Sequence, residues 1–334
     1  MKRGGLLGLL LAATIVAALG ALLVGPFPAS PTEVVGVIAS RIVPGWHGSA
    51  SPSLEAAILQ VRLPRVLLAL LVGMALSASG AAYQGVFRNP LVSAHVLGVA
   101  SGASFGAAAA IMLSTPPLVV QIAAFCGGLA AVGVVLATTR LFSASSPLYL
   151  VLMGLVTSSF FSALVSLLTY LATPDLKMPA IVFWLMGSLS AATPAAFWMT
   201  LPIVAVGLAG VLSARWTLNV LSMGDEDAQA LGIHVGRWRF GIILCCTLMT
   251  AAAVCACGVV GWVGLVIPHA GRLLAGPDHR RMLPASILLG GLFVLCVDGA
   301  ARTISTAEVP LGIITGLIGA PIFAVLLFRT GTRS

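Results

Sequence analysis

The sequence predicts an all-α fold, a polytopic transmembrane helical bundle of about ten spans. Three observations carry that expectation. Of the 334 residues, 59% are hydrophobic and 8% are charged, against roughly 25% charged in a soluble domain. Charge-free stretches able to cross ~30 Å of hydrocarbon follow one another along the chain. The 17 Lys and Arg outnumber the 9 Asp and Glu, and in a membrane protein such an excess reports topology, not a nucleic-acid surface, because basic residues collect in cytoplasmic loops.

The spans follow in order. Gly4 to Thr32 comes after Met1-Lys2-Arg3, and its apolar run to Val24 exceeds the roughly 7–15 residues of a signal-peptide core. It therefore reads as an anchoring first span, not as a signal cleaved near Pro26 to Ser30. Val66 to Phe87 is the second. Asn89 to Thr139 is too long for one crossing and breaks at Ser114-Thr115-Pro116-Pro117, because proline lacks an amide donor and restricts the residue before it. That leaves helices from about Ser93 to Leu113 and from about Leu118 to Arg140. Leu141 to Pro174 and Met178 to Ala214 supply the fifth and sixth spans. Phe240 to Gly271 divides near Gly258 to Gly264 into a seventh span and a short eighth helix reaching about Ala275. The ninth runs from about Met282 to Ile304, with Asp298 near its far end, and Val309 to Phe328 is the tenth.

With the N-terminus inside, ten crossings return Arg329 to Ser334 to the cytoplasm. Twelve basic residues then lie inside: Lys2, Arg3, Arg88, Arg140, Arg215, Arg237, Arg239, Arg272, Arg280, Arg281, Arg329 and Arg333. Five lie outside: Arg41, Arg62, Arg65, Lys177 and Arg302. This is the bias expected of the arrangement.

The six cysteines, Cys126, Cys245, Cys246, Cys255, Cys257 and Cys296, sit in apolar runs without a CxxC pair and read as small core residues. Gly98, Gly102 and Gly106 recur every four residues, a small-residue face that favours close helix packing over substrate contact.

Chemistry is sparse. A P-loop needs Gly-Lys-Ser/Thr, and the only lysines, Lys2 and Lys177, do not follow glycine. The single acid inside a span, Asp298, precedes Arg302 by four residues and reads as its ion-pair partner, not as a proton relay. His47, His95, His234, His269 and His279 lack metal-ligand spacing, so no metal site is expected. No catalytic constellation is legible.

Two polar features stand out. In Trp216 to Arg239, Ser222 to Gly224 can cap a short helix opening on Asp225, Glu226 and Asp227, with Gly232 as terminator. Val220, Leu221, Met223, Ala228 and Leu231 around it are apolar away from lipid, which fits either a knob for a partner's groove or a solvated loop. Arg62, Arg65 and Arg302 run against the positive-inside bias and fit either lipid phosphate or carboxylates of an extracytoplasmic protein.

Five stretches carry a resemblance: RLPRVLLALLVGMALSASGAAYQGVFRNPLVSAHVLGVASGASFGAA (Arg62 to Ala108), FWLMGSLS (Phe183 to Ser190), LSMGDEDAQALGI (Leu221 to Ile233), GVVGWVGLVIPHAGRLLAGPDHRRMLPASILLGG (Gly258 to Gly291) and AEVPLGIITGLIGAPIFAVLL (Ala307 to Leu327). In this order, over nearly the whole chain after about Leu59, they resemble the FecCD-type permease subunits of type II ABC importers, which carry iron-siderophore complexes, haem and cobalamin. The resemblance implies a single permease domain over residues 1–334 with a cytoplasmic coupling segment at 216–239, placed in the bacterial inner membrane with both termini cytoplasmic. It implies a homodimer, two ATP-binding cassette subunits holding ATP and magnesium, a periplasmic substrate-binding protein, and no cofactor or enzymatic activity on this chain. Leu221, Gly224, Asp225, Glu226, Ala228, Leu231 and Gly232 fall on its ATPase-coupling motif, and Arg62, Arg65 and Arg302 on positions that receive the binding protein's glutamates. Gly98, Gly102, Gly106, Pro268, His269, Pro310, Gly312 and Pro321 belong to helices that line the pathway or pack around it, the fifth (Leu148 to Ala172), eighth (Trp262 to Leu274) and tenth (Pro310 to Phe328) among them. An iron chelate is the expected cargo and cobalamin the alternative. One departure is Val92-Ser93-Ala94-His95, where relatives commonly carry Ala-x-Pro.

Overall fold

The computed structural model describes residues 5–25, 28–42, 51–141, 146–305 and 307–331. Among them the chain is helical without strands. Helix α1 (Gly5–Leu23) packs along α14 (His279–Thr303). Helix α2 (Pro31–Ile42) lies in the connection between the first two spans and opens on a reciprocal capping box: Ser30 N–H donates to Glu33 Oε2 at 2.8 Å and Glu33 N–H to Ser30 Oγ at 3.2 Å.

Helices α3 (Pro52–Ala56) and α4 (Leu63–Val86) are joined without a break by a π-helical turn, Ala57–Arg62, so the second span is 35 residues long. It begins fourteen residues before the Val66 start expected from charge, and Arg62 and Arg65 sit inside the helix instead of at its mouth. Almost every residue of α4 is buried. It is the central column, contacted by α14, α12 (Val235–Cys257), α13 (Val263–Ala275) and α9 (Pro194–Ser213).

The third span starts at Val99, later than Ser93: α5 is Val99–Met112, after turns and a left-handed Gly98 with φ 82. His95 Nε2 lies 3.1 Å from the Val260 carbonyl oxygen, which ties those turns to the α12–α13 connection. Helix α6 is Pro117–Leu141 and α7 Pro147–Leu171. Two of the three glycines share a face, and Gly98, ahead of the helix, does not. Built Cβ atoms on Gly102 and Gly106 would collide with the carbonyl oxygens of Gly127 and Ala123 on α6, whereas Gly98 faces Thr157 and Ser158 of α7. Changing Gly106 to leucine should force α5 and α6 apart at a cost of about 1–3 kcal/mol, read as a lowered melting temperature of the purified chain. An unchanged melting temperature would contradict this packing.

The Met178–Ala214 stretch is divided by Gly187 and Ser188 into α8 (Lys177–Met186) and α9. Three interrupted ends meet there. Ser188 N–H donates to Cys257 O at 2.7 Å, and Leu311 N–H, opening α15 (Leu311–Gly331), donates to Gly187 O at 2.8 Å. Broken helices persist at membrane depth only when protein groups satisfy the freed backbone in this way.

Two further helices, α10 (Arg215–Met223) and α11 (Asp225–Ala230), complete the order. Among the described residues seven helices are long and apolar enough to cross a membrane, and shorter apolar helices such as α5 and α13 lie among them. At 1.5 Å per residue the 13 residues of α13 extend only about 20 Å, so the expected ten spans include partial crossings and the count is approximate.

Candidate functional site

The segment 215–234 forms a helical knob. α10 buries Thr217, Leu218, Val220 and Leu221 against the bundle, and Gly224, at φ 152, turns the chain into α11. No side chain caps α11: the Ser222 hydroxyl instead donates to Leu218 O at 2.5 Å, which corrects the expected cap. Gly232, at φ 77, ends the knob as expected, its N–H donating to Gln229 O at 2.9 Å. Leu221 and Ala228 are 1% and 0% exposed. They anchor the knob to its own chain and do not form an outer surface. Met223 and Leu231, at 65% and 57% exposure, are the most exposed large apolar side chains it presents, with Trp216 less so and with Glu226 and Asp227 also exposed.

Asp225 fixes the orientation. Its two oxygens accept from Arg239 Nη2 at 2.8 and 3.0 Å, and Arg88 Nη2 stands 3.5 Å away. Arg88 itself is left-handed, with φ 52, a conformation costing a non-glycine residue roughly 1–2 kcal/mol. The knob is thereby tied to the end of α4 as well as to the start of α12.

A second tie runs from α10 to the α13–α14 connection. Asn219 Nδ2 donates to Asp278 Oδ1 at 2.6 Å, and its Oδ1 accepts the His279 backbone N–H at 2.8 Å. Asp278 also caps α14 through the Arg280 N–H at 2.9 Å. The Asn219 amide, and then that N–H, hold the Asp278 carboxyl below its ordinary 3.8. A depressed carboxylate stabilises the fold above the unfolded pKa and loses that contribution as pH falls through the folded one. Asp278→Ala should therefore lower stability by about 1 kcal/mol at pH 7, the loss of a helix cap, with the gap to wild type closing below pH 3.8. Melting curves of both proteins across that range check it, and a gap independent of pH would contradict it.

At the opposite end, Arg62, Arg65 and Arg302 gather around one mouth as the sequence suggested, but they turn inward. Arg62 and Arg65 are 4% and 6% exposed. Arg65 Nε donates to Asp298 Oδ1 at 2.9 Å, and Nη1 and Nη2 fork onto Glu308 at 2.7 and 2.9 Å. Arg302 Nε lies 3.2 Å from Asp298 Oδ2, the expected i,i+4 pair. Arg62 Nη1 and Arg302 Nη1 reach the Leu22 and Val24 carbonyls that end α1, at 2.9 and 3.1 Å. The chain's own acids engage Arg65 and Arg302, so these two do not point outward as free charges. Asp298, fully buried and flanked by two guanidiniums, is a structural ion-pair partner. Three arginines against two carboxylates leave an excess of one positive charge around a cavity of about 570 Å³ that all three line with Glu308.

The remaining candidates divide between packing and the open face. Pro268 and His269 are buried in α13; the His269 ring stands edge-on to Phe323 of α15 at 6.2 Å between centroids. A Cβ on Gly312 would meet Met186 O at 2.6 Å, so glycine there lets the first turn of α15 sit on α8. Pro310 is half-buried just before α15, and Pro321, inside α15, is exposed.

Glu308, Arg88 and Asn219 were missed by sequence reasoning. Glu308 had a signal, an acid just before the tenth span at the boundary assigned to Arg65 and Arg302. The Asn219–Asp278 bond, between residues 59 apart, had none.

With the geometry established, similarity adds a family. The FecCD transport family matches residues 10–329. The molybdate import system permease protein MolB of Haemophilus influenzae is 41% identical over 83% of this chain and 82% of its own length. An iron chelatin transport system permease protein of Helicobacter pylori is 42% identical over 85% of this chain and 86% of its own. Other relatives are named for cobalamin, hemin and Fe(3+) dicitrate transport. A solved structure described as an inward-facing conformation of a metal-chelate type ABC transporter superposes with a TM-score of 0.87 at 37% identity, covering 98% of this chain and 99% of that one. The chain is an integral membrane transport component and not an enzyme, and it belongs to the FecCD transport family of ABC transporter permeases.

Proposed function

We propose that this permease imports an iron chelate, siderophore-bound or haem, across the bacterial inner membrane, with both termini cytoplasmic. The observation that carries the reading is the knob, whose exposed Met223 and Leu231 sit on a base fixed by Asp225, Arg239 and Arg88. An apolar tip with no lipid to meet, held rigid by ion pairs, fits a groove on an ATPase subunit. Two such subunits, holding ATP and magnesium, act on a homodimer of this chain, which itself binds no cofactor. Their closure moves the knobs, and α10 passes the motion to α13 and α14 through Asn219 and Asp278. Exposed apolar side chains on α7 and α15, such as Phe160 and Leu317, suit a partner copy and a pathway too poor in charge to retain a chelate. The outer cavity, with its excess positive charge, suits an acidic side chain of a periplasmic binding protein.

The iron chelatin, hemin and Fe(3+) dicitrate names among its relatives support an iron chelate, and the cobalamin name supports vitamin B12 as the alternative. Proteoliposomes holding the permease, its ATPase and its binding protein should accumulate a ferric siderophore or haem when supplied with ATP. Accumulation of cobalamin or molybdate alone would overturn the iron assignment.

A further inference from the structure

A second basic cavity, of about 440 Å³, opens beside the knob between α6, α7, α11 and α12. Its charged lining is Arg140, Arg237, Arg239 and Asp225. Asp225 is engaged by Arg239 and Arg88. Among the described residues neither Arg140 nor Arg237 forms an ion pair. Three guanidiniums against one carboxylate leave two positive charges in excess, in a concavity and not on an open loop.

Its position in the bilayer is defined by the helices that carry the arginines. Arg140 occupies the last turn of α6, a candidate span ending at Leu141. Arg237 occupies the first turn of α12, a candidate span starting at Val235. Both therefore lie where hydrocarbon gives way to headgroups, on the arginine-rich side. The deeper lining is apolar, with Leu136, Leu150 and Ile243. Arg140 is held in place by the Phe240 ring, 5.3 Å below its guanidinium.

A charged rim at headgroup depth over an apolar floor matches an amphiphile with a phosphate head. Basic pockets between transmembrane helices bind anionic headgroups, each arginine near the surface adding about 1 kcal/mol. We propose that this cavity binds the phosphate of one anionic phospholipid of the inner leaflet, through Arg140 and Arg237, with acyl chain on the Leu136–Leu150–Ile243 floor. The inference stands on the cavity alone and does not depend on the transported cargo. Because the lipid would sit against Asp225 and Gln229 of the knob, its occupancy would brace the coupling element from the membrane side.

The test is native mass spectrometry of the delipidated full chain titrated with phosphatidylglycerol, phosphatidylcholine or inorganic phosphate. Wild type should retain one phosphatidylglycerol per chain in preference to phosphatidylcholine. Retention should fall roughly tenfold or more in the Arg140→Gln/Arg237→Gln double variant and stay unchanged in Arg215→Gln, whose arginine lies outside the cavity. A built Cβ on Gly236, which also lines the cavity, meets nothing within 4 Å. Gly236→Trp should therefore fill the site with no change in charge and also abolish retention, so a poorly folded double variant does not decide the matter. Equal retention of phosphatidylcholine, or retention unaffected by Gly236→Trp, would overturn the proposal. Displacement of the lipid by millimolar inorganic phosphate would reassign the site to the free ion. Full retention together with lost ATPase co-purification in the arginine variants would assign the cavity to the ATPase.

Discussion

Arg65→Met is expected to cost about 3–5 kcal/mol, the penalty for removing one partner of a buried ion pair. Asp298 has no exposed surface and Arg65 is its nearer partner, at 2.9 Å against 3.2 Å for Arg302. The same substitution releases Glu308, which Arg65 grips with both Nη atoms. One side chain thus joins α4, α14 and the start of α15, and its loss should lower the melting temperature sharply and reduce accumulation of the protein in membranes. The double replacement Arg65→Met/Asp298→Leu should recover part of the loss, because it removes the carboxylate stranded by the single change while leaving Arg302 only its carbonyl partners. A single variant as stable as wild type, or a double variant no better than the single, would contradict the internal clamp.

The next largest effect belongs to the knob. Met223→Glu and Leu231→Glu put charge on the two most exposed large apolar side chains of the knob, at the ends of α10 and α11. Each should weaken ATPase association by about 2 kcal/mol or more, as expected of an apolar anchor in a partner's groove, while the permease keeps its melting temperature. Ala228→Glu should do the reverse, disrupting the permease, since Ala228 is wholly buried. Co-purification paired with melting curves separates the two. Undiminished association in both Met223→Glu and Leu231→Glu would remove the knob from the interface.

These two sites show what local pattern conveys. Spans were legible because a membrane segment must exclude charge, and Gly232 because a helix end favours a residue that adopts positive φ. The i,i+4 pair of Asp298 and Arg302 was legible because one helix brings both residues together. Burial of Leu221 and Ala228 was not, because amphipathic side chains point toward protein or solvent according to neighbours far away in sequence. Arg65 looked like an outward charge for the same reason: its partners Asp298 and Glu308 are 233 and 243 residues away. The start of the third span was misjudged because the residues before Val99 form turns, tied by His95 to Val260, which charge alone does not reveal. The short helix α8 escaped a rule built on full crossings, since its end is satisfied by neighbouring backbone, whereas the short α13 was legible from the glycines that precede it.

Transport as proposed is driven through the knob by a partner ATPase and not by an ion gradient. It is tested most directly by uptake into vesicles containing the permease, its ATPase and its binding protein, with ATP supplied and all ion gradients collapsed. ATP-dependent accumulation of a ferric chelate is expected, and its loss in Leu231→Glu. Accumulation that needs a proton or sodium gradient and proceeds without ATP would contradict it.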